Sequence, residues 1–236
     1  MTVSVTTRCM NRITSLRWAL PSWLACPEVN EVVVVDWSSQ VPIHAELRDL
    51  TDPRILHVRV EGQTHWYAAR CHNVEIAAST SEALLRIDSD VRLHPNFFQQ
   101  HPLADNVFWN AWWKLDLKQR DLAGTIYTLL KNFRLVNGYN ERLMSIGYED
   151  DDLCDRMLAA GIRRMHPRVE LLEHLPHDDA SRLTHVDPDH REVDLNHCIG
   201  HNEWISKKHP WCPSDRQTRW NVTRTNDNLW TYTQEP

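Results

Sequence analysis

Four consecutive valines, Val32 to Val35, stand between Glu31 and Asp36. A strand that buries one face alternates apolar and polar residues, so so short an unbroken run reads as a strand covered on both faces, as in a parallel sheet. The neighbouring segments agree. Residues 2–7 alternate with β-branched residues and predict a first strand, and residues 55–60 and 83–87 predict a third and fourth. Between them, residues 12–26 predict a helix with Ile13, Leu16, Leu20, Trp23 and Leu24 on one side, closed by Pro27. A second helix is expected over 65–79, with an inner stripe of Trp66, Ala69, Asn73, Ile76 and Ala77. Strand and helix alternate, which implies an α/β fold: one mostly parallel sheet, right-handed crossovers and helices on both faces.

The second half is less regular. Residues 106–117, carrying Trp109, Trp112 and Trp113, predict an antiparallel strand or hairpin arm. Residues 125–134 read as a short helix, 164–172 as one strand, 192–207 as a helix and 220–232 as a strand in a tail that wraps back. With 236 residues the chain suits one domain with a C-terminal extension. A net charge of −6 without a basic block gives no reason to expect a nucleic-acid or membrane-surface partner. No apolar run approaches a membrane span and the first strand leaves no room for a signal peptide, so the expectation is a soluble, cytoplasmic protein. The six cysteines are scattered with no Cys-x-x-Cys pair and read as reduced, mostly buried thiols.

In an open parallel sheet, ligands bind beyond the carboxyl ends of the strands. After the first strand come Thr6, Thr7, Arg8, Asn11 and Arg12, with two cations suited to phosphate or to ordinary surface. After the second comes Asp36, which either accepts hydrogen bonds from a nucleobase or ribose or caps the next turn. After the fourth comes Asp88-Ser89-Asp90, whose paired carboxylates cannot be deep core without a partner; a divalent cation is the natural one. His174 and His177 follow a later strand, as metal ligands or structural histidines. Residues 146–161 predict a helix whose first turn carries Glu149, Asp150, Asp151 and Asp152, with Leu153, Met157, Leu158 and Ala160 inward and Gly161 as its stop. The dipole favours one or two such acids, whereas four in succession repel one another.

The spacing of Lys131, Phe133, Asn137, Gly138, Tyr139, Gly147, Glu149 to Asp152, Leu153, Arg156 and Gly161 resembles the catalytic region of the β-1,4-galactosyltransferase type of glycosyltransferase. Trp66, Arg70, Asn73 and Val74 echo the same family. The likeness runs from Thr2 to His177 and departs at Ala68, where the family has an Arg; the nearest cation here is Arg70.

The resemblance implies a GT-A fold, with residues 1–180 as catalytic domain (1–104 holding the nucleotide sugar, 105–180 the acceptor) and a C-terminal extension at 181–236. It implies an inverting, metal-dependent transferase moving a sugar from a nucleoside-diphosphate donor, a UDP-sugar, to a saccharide acceptor. Asp150 would be the base, with Glu149, Asp151, Tyr139 and Tyr148 on the acceptor. Thr7, Arg8, Asn11, Arg12, Asp36, Arg70 and Asp88 would serve the donor, and Asp90, His177 and His174 the metal. Carboxylate plus imidazole suits Mn²⁺ better than Mg²⁺. Residues 144–147 would be the hinged loop that closes over the donor. Two alternatives are a nucleotidyltransferase acting on sugar phosphates, for which no Gly-rich basic phosphate loop is visible, and a non-catalytic carbohydrate-binding relative.

Overall fold

The computed structural model describes residues 1–112, 114, 115, 117–177, 184–186 and 195–236. Its elements run β1 (Val3–Cys9), α1 (Ile13–Leu24), β2 (Val29–Trp37), α2 (Ile43–Glu46), β3 (Ile55–Glu61), α3 (Ala68–Ala78), β4 (Ala83–Arg86) and β5 (Val91–Leu93). There follow α4 (Phe97–Gln100), β6 (Val107–Asn110), β7 (Ile126–Leu129), α5 (Leu130–Leu135), α6 (Glu149–Ala159), β8 (Arg163–Met165), β9 (Leu172–His174), α7 (Leu195–Lys208), β10 (Trp220–Asn226) and β11 (Leu229–Gln234). Among the described residues nine strands form one sheet in the order β10-β11-β3-β2-β1-β4-β7-β6-β8, and β5 pairs with β9 in a second.

The valine run behaves as its composition requires. Val32 and Val34 join a core with Leu16, Leu20 and Trp23 of α1, while Val33 and Val35 join another with Cys71, Val74 and Ala78 of α3. Successive side chains of a strand point to opposite faces, so a sheet covered by helices on both faces needs apolar residues at every position. The contacts β1–β2, β2–β3 and β1–β4 are parallel, and β4–β7 and β7–β6 are antiparallel. The tail does wrap back: β11 pairs in parallel with β3 and carries β10 as the outer strand. None of the six cysteines is in a disulfide, and only Cys212 is exposed. Among the described residues no helix is long and apolar enough to cross a membrane.

Four local expectations are corrected. Residues 126–129 are strand rather than helix, because Ile126-Tyr127-Thr128-Leu129 pairs on both sides, with β4 and β6; the helix starts only at Leu130. The single strand expected over 164–172 is two, β8 and β9, parted by a segment with Pro167, which has no N–H to give a ladder. Strand β1 runs on past the expected residue 7 to Cys9, so Arg8 belongs to the strand and not to the turn after it. In α6, Leu158 (44% exposed) faces solvent, as does Ala160 just past its end, while Asp152 and Cys154 turn inward. Trp113 and the first residues of the expected 192–207 helix lie outside the described residues; the helix itself runs from Leu195 to Lys208.

Leu20 is fully buried between α1 and the sheet. Leu20→Ala is expected to lower unfolding stability by about 2–5 kcal/mol, measured by urea denaturation at constant m-value.

Candidate active site

Strand β4 ends at Arg86, and the chain turns through Asp88-Ser89-Asp90 into β5. The turn is closed by Val91 N donating to Asp88 O at 3.1 Å. Strand β5 is too short to hold itself; it is fixed by the Trp23 indole, which donates to Val91 O at 2.9 Å, and by its antiparallel partner β9. That register puts Val91 opposite His174, and Leu175 N donates to Asp90 O at 2.8 Å. Two segments more than 80 residues apart are thereby brought side by side.

The outcome is a compact trio. Ligand atoms of Asp90, His174 and His177 lie within 4.8 Å of one another. His177 Nε2 is 3.1 Å from Asp90 Oδ2 and His174 Nε2 is 3.9 Å from Asp90 Oδ1. Asp90 is 3% exposed, and His174 Nε2 is buried with no hydrogen-bond partner. A buried ring nitrogen aimed at a carboxylate it does not reach fits a divalent cation held between them, and one oxygen with two imidazoles is a donor set that Mn²⁺ accepts.

Asp90 and His177 line a cleft of about 610 Å³. Arg8, Arg12, Asp88 and Asp90 from the strand ends and Tyr148, Glu149, Asp150 and Asp151 from the start of α6 line it, with His177, Trp66 and Trp112 also on its wall. The four carboxylates of α6 do not act alike. Asp152 turns away, accepting from Arg156 Nε at 2.8 Å and from Ser206 Oγ at 2.6 Å. Arg156 also donates to Val136 O and Gly138 O, at 2.6 and 2.7 Å, and so ties the Asn137-Gly138 turn to the acidic helix. Glu149, Asp150 and Asp151 are left for the cleft.

Beneath Asp150 lies a buried polar network. Tyr139 Oη donates to Asp150 Oδ1 at 3.1 Å, and Arg86 Nη1 donates to Asp150 Oδ2 at 3.3 Å. Arg8 pairs with Asp88. Behind Arg86, His72 Nε2 lies 2.7 Å from Arg86 Nη2 and His72 Nδ1 lies 2.7 Å from Glu75 Oε2. Burial first, then Arg86 and Arg8, holds the His72 pKa well below its usual value. A neutral ring fits its partners, with Nδ1–H donating to Glu75 and Nε2 accepting from Arg86. Burial is the largest influence on the acids as well. It raises Asp150 above its usual range against the pull of Arg86 and Arg8. With the charge of Asp150 added, it pushes Glu149 up to about 7.

The remaining candidates separate clearly. Asn11, in the left-handed region (φ 58°), is occupied with the β2–α2 loop: its N–H donates to Ser39 Oγ and its Oδ1 accepts from Gln40 N. Asp36 accepts from Ser39 N, Ile43 N and Arg59 Nη1 and is absent from the cleft lining, so the turn-capping alternative describes it. Thr7 is fully buried, and Arg70 covers the Tyr67 ring at 4.8 Å; neither lines the cleft. Tyr139 is also fully buried, against the His72 ring at 4.3 Å, and offers no face to a sugar. Arg12 reaches Asp90 Oδ2 at 3.2 Å, beside the trio.

Sequence reading missed three parts of the site. Arg86, His72 and Glu75 were not singled out; a lone Arg inside the apolar strand Ala83–Ile87 was the available signal. The C-terminal helix was given no role, yet Leu195, Asn196 and Ile199 line the cleft. From α7, buried Asn202 donates to Met144 O and Gly147 O at 2.8 Å and accepts from Met144 N at 2.8 Å, pinning residues 144–147. Gly147 sits at φ 97° with Ile199 against it; a Cβ there would lie 2.7 Å from Ile199 Cγ1.

Comparison with known proteins bears on this arrangement. Residues 110–187 match the family model described as the N-terminal domain of galactosyltransferase. The chain is a glycosyltransferase of the GT-A fold. The catalytic domain of Drosophila β1,4-galactosyltransferase 7, solved with xylobiose, aligns over 99% of this enzyme and 93% of that chain, with TM-score 0.61 and 13% identity. A variant of the same Drosophila protein, solved with manganese, UDP-Gal and xylobiose, gives 0.59 over 99% and 94% at 13% identity. A mannosyltransferase from Pyrobaculum calidifontis, solved with GDP-Man and Mn²⁺, gives 0.57 over 86% and 69% at 15% identity. No curated protein sequence matches the enzyme.

Glu75 is the most readily tested of the buried acids, its pKa pushed from 4.5 to about 8 chiefly by burial. A raised folded-state pKa favours the native state below the unfolded value and loses that advantage as pH rises through the folded one. The enzyme is therefore expected to lose stability between pH 4.5 and 8. Glu75→Gln, already neutral, should flatten that slope in thermal melts, with wild-type melting near pH 4.5 and higher melting above pH 8. Asn202→Ala is expected to speed amide exchange over residues 144–147 more than elsewhere, read by hydrogen–deuterium exchange.

Proposed function

We propose that this glycosyltransferase inverts the anomeric centre as it moves a sugar from a nucleoside-diphosphate donor, a UDP-sugar, to a saccharide hydroxyl, with Mn²⁺ at Asp90, His174 and His177. The observation that carries this reading is that one cleft is lined by two members of that trio, Asp90 and His177, by Arg8 and Arg12, and by the ionisable carboxylate of Asp150, with His174 beside them. The Drosophila relative solved with manganese, UDP-Gal and xylobiose supports the choice of metal, nucleotide and acceptor class. Bound Mn²⁺ supplies positive charge that stabilises the diphosphate leaving group.

The chain's own residues supply the rest. Arg8 and Arg12 stand on the donor side beside Asp88 and Asp90, where guanidinium groups suit phosphate oxygens. Asp150 takes the proton of the acceptor hydroxyl as its oxygen bonds to the anomeric carbon. The bond from that carbon to the diphosphate oxygen breaks, and the electron pair leaves with the nucleotide. A carboxylate held above its usual range is a better base than a solvated one. Glu149, Asp151 and the half-buried Tyr148 face the acceptor from the same helix start. The loop at 144–147 covers the donor and keeps water from the activated sugar.

Asp150→Asn is expected to lower kcat by about 10²–10⁴-fold while Mn²⁺-dependent binding of UDP, read by calorimetry, stays as in wild type; transfer at the wild-type rate removes Asp150 from the role of base. His177→Ala is expected to weaken Mn²⁺ binding, and the product's anomeric configuration by NMR tests inversion. Thermal-shift screening against UDP, GDP and CDP with and without Mn²⁺ tests the nucleotide.

A further inference from the structure

We propose that Arg86 is a positioning residue for the general base: its guanidinium, clamped by His72 and the Gly124 carbonyl, fixes the Asp150 carboxylate toward the acceptor. This rests on Asp150 being that base. A cation at the centre of a sheet is costly, and a leucine would pack there without that cost. Arg86 is 1% exposed in β4, between Thr6 of β1 and Ile126 of β7. Its neighbours show where it is directed. Nη1 donates to Gly124 O and, at 3.3 Å, to Asp150 Oδ2; Nη2 lies 2.7 Å from His72 Nε2 and 3.6 Å from Asp88 Oδ1. Glu75 holds His72 from behind at 2.7 Å.

Three neighbours thus fix a planar fork whose fourth contact is the carboxylate across the strand ends. Tyr139 Oη holds the other oxygen of Asp150 at 3.1 Å, so the two oxygens are gripped separately. Gly124 permits the approach, since a Cβ there would lie 2.6 Å from Asp88 Oδ2. A lysine keeps the charge but has one donor point where the fork has several, so it cannot span the same contacts.

The groups acting on Asp150 are Arg86 and Arg8, which favour its ionised form, Asp88 and Glu149, which oppose it, the Tyr139 hydroxyl and, further back, Glu75. Removing the Arg86 charge therefore raises the pH at which Asp150 ionises. The acid limb of the kcat profile, below which the base is protonated and idle, then moves to higher pH.

The test compares wild type, Arg86→Gln and Arg86→Lys, each checked for native circular dichroism, by pH profiles of kcat and by acceptor KM. Arg86→Gln is expected to move the acid limb up by about 1–3 pH units. Arg86→Lys should keep the limb near wild type while kcat falls by about tenfold to a hundredfold and acceptor KM stays within about twofold, the mark of a misplaced group that binding does not use. A folded Arg86→Gln with lowered kcat and an unmoved limb would indicate a purely structural arginine and overturn the proposal. Should Arg86→Gln fail to fold, wild-type kcat in Arg86→Lys overturns it equally. Failure of the underlying reading looks different: Asp150→Asn itself would then transfer sugar.

Discussion

Carboxylates cannot be sunk into the floor of a cleft without cations to meet them, and this constraint shapes the centre of the enzyme. Glu75, Asp88, Glu149 and Asp150 lie close together with two arginines, Arg8 and Arg86, among them. Neither arginine is a surface residue; both come from the sheet itself, from β1 and β4. The strand ends thus deliver positive charge from below, while α6 delivers negative charge at its positive pole, where the helix dipole eases the crowding. Burial raises Glu75, Glu149 and Asp150 above their usual range even so, and without the arginines it would raise them further.

Around that centre, short segments become rigid only by pairing with distant ones. Strand β5 has three residues and β9 has three, and each orders the other. The first delivers Asp90 and the second His174, so the clustering of Asp90, His174 and His177 is a product of strand pairing more than of any local motif. The surroundings of α6 are built in the same way. Asp152, buried at 3% exposure, gathers Arg156 and Ser206; Asn73 accepts from Tyr139 N at 2.7 Å and donates to Tyr139 O at 3.0 Å; Asn202 grips the loop before α6. Several residues that mark the galactosyltransferase-like pattern, among them Asn73, Asn137, Gly138 and Arg156, thereby hold the site together without facing its cleft.

Much of the fold was legible because its signals are local. The valine run, the stripe of α1 and the acidic start of α6 each depend on residues a few positions apart, and each element formed near its expected place. What was not legible depends on partners far away in sequence. Residues 126–129 became a strand because β4 and β6 flank them, and no window around Thr128 contains that information. Asp36 looked like a ligand because it follows a strand; Arg59, 23 residues on, claims it at 2.7 Å. Tyr139 stands at a motif position, but its ring is turned under the cleft against His72. The charge network escaped notice because a buried Arg gives no hint from sequence of which acid it faces.

Every assignment of chemistry here depends on Asp90, His174 and His177 sharing one cation on the cleft that Asp150 borders. Anomalous diffraction from crystals grown with MnCl₂ and UDP, collected above and below the manganese edge, tests that directly. The expected result is one strong manganese peak bonded to all three side chains, with the diphosphate reaching it from the side of Arg8 and Arg12. Manganese bound with UDP away from the trio, at full occupancy, would contradict the account.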